Sequence, residues 1–377
     1  MFGFEDRLES ISRAGAYRRV RRADVSGARI EEDGRRLVDF SSNDYLGISG
    51  RIDWQREFLK GLSGSEKYLM GSLSSRLLGC NSSAFDDFEK TVSDEYSRAW
   101  NAEKSCLLFN CGYHANSGII PALATSRDLV LADKLSHASL IDALKLTDAK
   151  WLRFPHNDLD RLEEILRRRR AEFENVYIVT ESVFSMDGDF CDLRRLSEIR
   201  REFGAFLYVD EAHAFGLYGA GGLGRSVGFD VDLAMCTLGK AAASEGAFAL
   251  CSAETREMLV NRCRTFIYST ALSPVSARWS RFVFEKILGM DAEREHLQKI
   301  SAAFRSAVSG VLGESQIAPV STAGRALEIS AAMESRGFRV PAIRKPTVPT
   351  ERLRFSFSAA HSESDVLAAA KALGELS

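Results

Sequence analysis

Ala205-Phe-Leu-Tyr-Val-Asp210-Glu-Ala-His213 is the stretch on which the fold prediction rests. Its first six residues form an apolar run short enough to be a buried strand, and Asp210 stands at the carboxyl end of that run. A second apolar run, Leu233-Ala-Met-Cys-Thr237, is followed closely by Lys240. In open α/β sheets, ligands bind in the crevice outside the carboxyl ends of the strands. Asp210, His213 and Lys240 are therefore predicted to converge on one crevice.

A carboxylate, an imidazole and a primary amine in one crevice suit a cofactor that is held covalently through its aldehyde. Pyridoxal 5'-phosphate (PLP) needs this set, with Lys240 for the aldehyde and Asp210 to keep the ring nitrogen protonated. Each residue alone is a weak signal, because an aspartate at a strand end commonly caps a helix and a lysine after a glycine is commonly solvated. The order and surroundings of the pair favour the site.

The residues around this stretch alternate between apolar runs and helical patterns, which is typical of βαβ units. The fold class predicted is α/β, with a mostly parallel sheet covered by helices on both faces and a large domain over residues 46–275. The candidate strands are 105–110, 129–133, 151–154, 176–181, 205–210, 233–237 and 247–251, and helices are predicted at 159–170 and 193–203.

The two ends of the chain have different patterns. Residues 1–45 are predicted to begin with a helix and to continue into a β-hairpin that turns at Asp33-Gly34. Residues 276–377 are predicted to form a smaller α+β domain. Its expected elements are two amphipathic helices at 276–288 and 292–311, strands near 337–344 and 353–358, and a last helix from about Ser362.

Further polar residues come directly after predicted strands. Gly112 and Tyr113 open a predicted helix whose free backbone amides could hold a phosphate. His137 follows the second strand, where its ring could lie flat on an aromatic cofactor, and Ser185 lies in a turn after the fourth. A single histidine near a strand end is more often structural. Several such residues at successive strand ends make coincidence the poorer explanation.

Arginines form two groups outside the central region. Arg344 and Arg354 lie in the C-terminal domain, and the planar guanidinium suits a substrate carboxylate, although surface arginines on strands are an alternative. The cluster Arg18-Arg19-Val-Arg21-Arg22 is most simply a solvated face. The alternative for this cluster, and for Arg18 in it, is to attract an anionic substrate.

Composition excludes several classes of protein. With a net charge of −2, the chain has no overall field to gather nucleic acid or an anionic membrane. No apolar stretch approaches the roughly 20 residues of a membrane span, and the first residues do not resemble a signal peptide, so a cytoplasmic location is predicted. The seven cysteines include no Cys-x-x-Cys pair and the six histidines no His-Glu-x-x-His pattern, so no metal site is expected.

Six further stretches have a recognisable spelling: Phe40-Ser-Ser-Asn-Asp-Tyr-Leu46, Leu135-Ser-His-Ala-Ser139, Pro155-His-Asn-Asp158, Val183-Phe-Ser-Met-Asp-Gly188, Thr265-Phe-Ile-Tyr-Ser-Thr-Ala-Leu272 and Thr347-Val-Pro349. With them, the sequence resembles the α-oxoamine synthase family of fold-type I PLP enzymes along essentially its whole length. Within the family, it is most similar to the member that condenses L-alanine with a pimeloyl thioester in biotin biosynthesis. The resemblance implies a homodimer with active sites at the subunit interface, and an acyl donor carried by coenzyme A or acyl carrier protein.

The same resemblance implies a role for each site residue. Lys240 would bind the cofactor aldehyde as a Schiff base, and Asp210 would pair with the ring nitrogen. The other implied contacts are His137 stacked on the ring, His213 and Ser185 at its phenolic oxygen, the backbone of Gly112 and Tyr113 with the hydroxyl of Thr237 at the phosphate, and Asn43 with Arg344 or Arg354 at the amino-acid carboxylate.

Three segments depart from the family pattern. The loop Gly71-Ser-Leu-Ser-Ser-Arg76 lacks the usual paired glycines, the lysine is followed by Ala241-Ala-Ala-Ser-Glu245 instead of a glycine-rich run, and the segment 314–324 is short. Altered acyl specificity is therefore one possibility. The alternatives are a sister enzyme that uses glycine or serine with another acyl-CoA, and a PLP-free interaction protein built on the same fold.

Overall fold

A computed structural model describes residues 2–13, 15, 17–62, 70–79 and 81–376, which form three β-sheets flanked by helices. The strands are β1 Asp24–Ser26, β2 Arg29–Glu32, β3 Arg35–Asp39, β4 Ser105–Phe109, β5 Leu129–Asp133, β6 Lys150–Phe154, β7 Val176–Glu181, β8 Phe206–Asp210, β9 Leu233–Thr237, β10 Ala247–Cys251, β11 Ile317–Ser321, β12 Phe338–Arg339, β13 Ala342–Ile343 and β14 Arg352–Ser356. The α-helices are α1 Phe4–Arg13, α2 Ile52–Leu62, α3 Ser83–Trp100, α4 Gly112–Leu123, α5 Ala138–Leu146, α6 Leu159–Arg169, α7 Leu193–Phe203, α8 Ala253–Arg262, α9 Arg264–Ile267, α10 Pro274–Ile287, α11 Asp291–Ala307, α12 Ala326–Ser335 and α13 Glu363–Gly374.

The central sheet has the strand order β4-β10-β9-β8-β7-β5-β6. Strand β10 runs antiparallel to both neighbours, and the other strands all point the same way. The predicted α/β class with a mostly parallel sheet is confirmed, and all seven predicted strands are present. The carboxyl ends of β4, β5, β7, β8 and β9 therefore meet along one edge.

Both faces of this sheet are buried, which explains why its strands read as continuous apolar runs. Successive side chains of a strand point to opposite faces. In β5, Leu129 and Leu131 pack into one hydrophobic cluster, whereas Val130 and Ala132 pack into another. The helices on the two faces supply the rest of each cluster.

The hairpin predicted near the N-terminus is present, and it joins a strand from the far end of the chain. Asp33 and Gly34 both have positive φ, 50° and 72°, which is the backbone conformation that a two-residue hairpin turn requires. Strand β3 then pairs in parallel with β12, so that Val38 lies opposite Phe338. The predicted domain boundaries at residues 45 and 275 remain predictions.

Two predictions for the C-terminal region are wrong. The single strand expected at 337–344 is two short strands, because Pro341 interrupts the run, and β12 and β13 belong to different sheets. The helix expected at 292–311 ends at Ala307, where Val308 is extended and Gly310 has a φ of 70°. Strand β11 and helix α12 were not predicted. Strands β11, β14 and β13 form the third sheet.

Two further observations concern the chain as a whole. Within the described ranges, no helix is both long and apolar enough to cross a bilayer. The described cysteines are free thiols, most of them buried. Cys80 lies outside the described residues.

Candidate active site

A pocket with about 490 Å³ of free space opens at the carboxyl edge of the central sheet. Its walls come from the residues that follow β4, β5, β7, β8 and β9, as the crevice prediction requires. The lining residues are Gly112, Tyr113, Asn116, His137, Ser139, Glu181, Asp210, Ala212, His213, Met235, Thr237 and Lys240. Seven predicted site residues therefore lie around one cavity.

Lys240 and His213 are in direct contact in this pocket. The Nζ atom of Lys240 lies 2.8 Å from Nε2 of His213. Burial lowers the pKa of the Lys240 amine to about 8, although the charges of Asp210 and Glu181 oppose this shift. Burial and the nearby Lys240 charge also lower the pKa of His213 well below its ordinary value. Near neutral pH the pair therefore consists of a neutral imidazole and an amine that gives up its proton readily.

The imidazole of His213 continues into a chain of hydrogen bonds. Its Nδ1 lies 2.6 Å from the hydroxyl of Tyr45, which in turn donates to Oδ1 of Asn43 at 2.9 Å. If Nε2 accepts from Lys240, then Nδ1 carries the proton and donates to Tyr45, so every donor in the chain has an acceptor. The chain thus fixes both the tautomer and the orientation of His213.

Asp210 lies at the end of β8 and is 4% exposed. Its Oδ2 accepts from Nδ2 of Asn116 at 2.7 Å, and its Oδ1 accepts from the backbone N–H of Ala212 at 2.8 Å. Asn116 is itself held by the hydroxyl of Tyr208, which donates to its Oδ1. The carboxylate is therefore rigidly oriented toward the pocket.

His137 lines the pocket and caps helix α5. Its Nδ1 accepts from the backbone N–H of Ser139 at 3.2 Å, and its own backbone N–H donates to Glu181 at 2.5 Å. Burial lowers the pKa of His137, which favours a neutral ring. Burial and the charge of Asp210 raise the pKa of Glu181 well above its ordinary value.

The end of the pocket at helix α4 has the features of an anion site. Gly112 and Tyr113 form the first turn of the helix, where backbone amides have no intrahelical acceptor. The hydroxyl of Thr237 lies beside them, because a Cβ built on Gly112 would be 3.5 Å from its Oγ1. Two amides and one hydroxyl can therefore point at the same oxyanion.

Arg354 is the arginine that reaches the site. It is 5% exposed, and its terminal nitrogens lie 3.3 and 3.4 Å from Oδ1 of Asn43. Its Nε donates to the carbonyl oxygen of Ser185 at 2.7 Å, so Ser185 enters the site region through its backbone. The structure does not bring the other two candidates here: Arg344 donates to the carbonyl of Gly15, and Arg18 is exposed.

Sequence reasoning missed four polar residues of the site, as well as Ala212 and Met235 in the pocket lining. Glu181 carried a usable signal, because it ends β7 directly opposite Asp210 in the neighbouring strand. Asn116 lies one turn inside α4, which separates it from the strand end, whereas Ser139 is only the second residue of α5 and carried no signal beyond its place next to His137. Tyr45 appeared only as an aromatic at the end of a loop, and its contact with His213 is visible only in the folded chain.

The departures from the family pattern are also visible in the structure. Leu73 has a φ of 58° and is 86% exposed, so a side chain occupies a left-handed position at which glycine would be unstrained. The backbone of Ser74 accepts from Ala271 at 3.1 Å, which ties this loop to the segment before α10. Glu245 is exposed and accepts from Ser276, outside the residues that line the pocket.

A charged histidine lies behind the site. His156 is held between two carboxylates, with Nδ1 at 2.9 Å from Asp133 and Nε2 at 2.8 Å from Asp189. Burial alone would lower the pKa of His156, but hydrogen bonds to Asp133 and Asp189 and their charges outweigh it and raise the pKa to about 10. The ring is therefore an imidazolium near neutral pH.

Replacing His156 with glutamine is expected to lower the free energy of unfolding by about 2–4 kcal/mol near pH 6, because it breaks a paired, largely buried charge. Since the pKa rises from 6.5 in the unfolded chain to about 10 in the folded chain, this stabilisation is complete below pH 6.5 and disappears as the pH approaches 10. Urea unfolding of wild type and H156Q at several pH values measures the difference. A difference that stays constant up to pH 10 would contradict the assigned charge.

Comparison with known proteins gives one consistent family. The model of the family described as aminotransferase class I and II matches residues 35–373. A protein of Haemophilus influenzae that carries the provisional name 8-amino-7-oxononanoate synthase is 39% identical over 380 residues, covering 95% of this chain and 96% of the relative.

Two solved structures extend the comparison. The crystal structure of 8-amino-7-oxononanoate synthase from Francisella tularensis matches with a TM-score of 0.75 and 27% identity, over 90% of this chain and 97% of that one. Serine palmitoyltransferase from S. paucimobilis, solved with PLP and myriocin, matches with a TM-score of 0.85 over 99% of this chain and 98% of that one, and at 24% identity it supports the fold alone. The chain therefore belongs to the aminotransferase class I and II family and, within it, to the α-oxoamine synthases, and it is a PLP-dependent acyltransferase.

Proposed function

We propose that this enzyme condenses L-alanine with a pimeloyl thioester to give 8-amino-7-oxononanoate, carbon dioxide and the free thiol carrier, as a step of biotin biosynthesis. The observation that carries the proposal is the 39% identity along 95% of the chain to a relative with that provisional name. The pocket supports the chemistry, because it holds an amine, an imidazole and a carboxylate within one cavity.

The residues present fit PLP. Lys240 offers an amine for the aldehyde, Asp210 a carboxylate for the ring nitrogen, and the first turn of α4 with Thr237 a set of donors for the phosphate. His137 supplies an aromatic ring in the lining of the pocket. When bound, PLP supplies an electrophilic carbon and a ring that accepts the electron pair left on the amino-acid Cα.

The protein side chains then have separate tasks. Lys240 would hold the aldehyde, and as a free amine with a pKa lowered to about 8 it would take the proton from Cα of the amino acid. Asp210 would pair with the ring nitrogen and so keep it protonated. His213 is held by Tyr45 and carries no charge when neutral. Its Nε2 lies 2.8 Å from the amine of Lys240 and orients that amine.

The amino-acid carboxylate is assigned to Arg354 and Asn43. The guanidinium is buried and has no carboxylate within ion-pairing distance among the described residues, so it can neutralise a substrate carboxylate. This assignment chooses Arg354 over Arg344. A role for Arg18 toward the acyl donor remains a prediction, because Arg18 lies exposed on the N-terminal segment.

A homodimer is part of the proposal. Large apolar side chains are exposed on the 70–79 loop and in the segment that follows α9, among them Met70 at 72%, Leu78 at 81% and Tyr268 at 71%. Contiguous exposed apolar surface commonly marks an interface. The loop contacts the 270–272 segment next to the pocket, so a second copy covering it would place the interface at the active site. A cytoplasmic location is proposed with it.

The second candidate function is that of a sister enzyme that joins glycine or serine to another acyl-CoA. The observation in its favour is the departure of two segments from the family pattern, since Leu73 occupies a left-handed backbone position in the 71–76 loop and Ala241-Ala-Ala-Ser-Glu245 follows the lysine.

A panel of substrates separates the two candidates. Purified enzyme loaded with PLP is incubated with L-alanine, glycine or L-serine, each with pimeloyl-CoA or pimeloyl-acyl carrier protein, and the products are identified by mass spectrometry. We expect 8-amino-7-oxononanoate from L-alanine and at least about tenfold less product from the other two amino acids. Product from glycine or serine, with none from alanine, would overturn the proposal in favour of the sister enzyme.

A further inference from the structure

The turn formed by residues 183–190 connects the central sheet to the C-terminal sheet. It leaves β7 directly after Glu181 and is closed by a bridge between Val183 and Phe190. On one side, the carbonyl of Gly188 accepts from the backbone N–H groups of Glu314 and Ser315, both at 3.0 Å. The turn is therefore packed against the segment that leads into β11.

Arg354 takes its position from this turn. Its Nε donates to the carbonyl of Ser185 at 2.7 Å, and the neighbouring Arg352 donates to Asp187 at 2.7 Å. The guanidinium proposed to bind the substrate carboxylate thus rests on the backbone of the turn. A displacement of the turn would move the guanidinium with it.

His156 holds the opposite side of the same turn. Its imidazolium joins Asp189, on the turn, to Asp133, at the end of β5. The ring also packs nearly perpendicular to that of Phe184, with the ring centroids 4.4 Å apart. Asn157 adds a hydrogen bond from Nδ2 to Asp189 at 2.8 Å and one from its backbone N–H to Asp133 at 2.9 Å.

Only a protonated histidine donates from both ring nitrogens, and both of its partners here accept only. Asp133 is 1% exposed as a side chain, so its carboxylate is fixed in the sheet. The connection from the rigid sheet to the arginine therefore runs from Asp133 through His156 and Asp189 to Ser185. His156 is not among the residues that line the pocket.

We propose that His156 is a positioning residue for the amino-acid substrate, which fixes the turn 183–190 and thereby the place where Arg354 meets the substrate carboxylate. The proposal rests on the assignment of that carboxylate to Arg354. It predicts a loss of affinity that depends on the carboxylate of the ligand, because Lys240 and Asp210 are held by other contacts.

The test compares two ligands that differ only at that group. Affinities of the PLP-loaded enzyme for L-alanine and for L-alaninol, which has a hydroxymethyl group in place of the carboxylate, are measured from the change in cofactor absorbance. In H156Q we expect L-alanine to bind about tenfold more weakly, whereas L-alaninol should change by less than about twofold. D189N, which keeps the shape of the side chain but removes the charge, should show the same selective loss.

The matched control is H296Q. His296 is also partly exposed and makes one hydrogen bond, to the carbonyl of His361 at 2.8 Å, away from the turn. Neither ligand should lose affinity in H296Q. Equal losses of both ligands in H156Q and D189N, or no loss of either, would overturn the positioning role.

R354K separates this inference from the proposed function. It should weaken L-alanine selectively if Arg354 binds the carboxylate. If R354K leaves the L-alanine affinity unchanged, the assignment of Arg354 fails, and with it the inference. If alanine binds normally to wild type but yields no condensation product, the proposed reaction fails, while the comparison of the two ligands still decides the role of His156.

Discussion

Replacement of Lys240 with alanine is expected to lower turnover by at least about 10⁴-fold, to the limit of detection. The amine has two assigned tasks, at the cofactor aldehyde and at the proton on Cα, and the lining of the pocket contains no second lysine to take over either one. Because burial disfavours the charged amine, as its lowered pKa of about 8 shows, its removal should not unfold the protein.

The measurement is product formation by mass spectrometry, together with a thermal melt followed by circular dichroism. The absorbance of bound PLP should also shift, because the cofactor is no longer joined to the chain. K299A, which removes an exposed lysine paired with Glu363, is the control and should retain activity. Normal turnover by a folded K240A variant would contradict both tasks assigned to the Lys240 amine.

Replacement of Asp210 with asparagine is expected to slow removal of the α-proton by about 10²–10⁴-fold, which corresponds to ~3–5 kcal/mol for a broken buried charge pair. Asparagine has the same shape, but it cannot hold the proton on the ring nitrogen. The carboxylate of Asp210 accepts hydrogen bonds from Asn116 and from the backbone of Ala212. In the asparagine variant an NH₂ group faces one of these two donors, so one hydrogen bond is lost.

The rate is followed as exchange of the alanine α-proton with deuterated solvent by nuclear magnetic resonance, and PLP binding is measured in parallel. PLP should still bind, since the contacts at Lys240, Thr237 and the first turn of α4 are unchanged. Exchange at the wild-type rate by D210N with PLP bound would show that Asp210 does not have this role.

The parts of the site that follow strands could be predicted from the sequence, because the carboxyl ends of parallel strands necessarily meet along one edge. Apolar runs locate those ends, so Asp210, His137 and Lys240 could be placed together before any fold was known. The same rule also applies to Glu181, because this carboxylate ends β7, the strand beside β8.

The remaining contacts depend on packing between distant segments. Arg354 and Asn43 are 311 positions apart, and no local pattern distinguishes Arg354 from Arg344. The choice follows from the C-terminal sheet, in which Arg354 lies on a buried strand whereas Arg344 follows a two-residue strand near the surface. The break at Pro341 could have been predicted, because a proline in a strand interior removes a hydrogen-bond donor.

The parallel pairing of β3 with β12 has a consequence for how the protein is made. Val38 leaves the ribosome 300 residues before its partner Phe338, which at ordinary rates of synthesis is roughly 15–60 s. During that interval the N-terminal sheet consists of β1, β2 and β3 without β12, and Asn43 has no contact with Arg354. The proposed substrate carboxylate site is therefore completed only when nearly the whole chain has been translated, so we expect a nascent or C-terminally truncated chain to lack it.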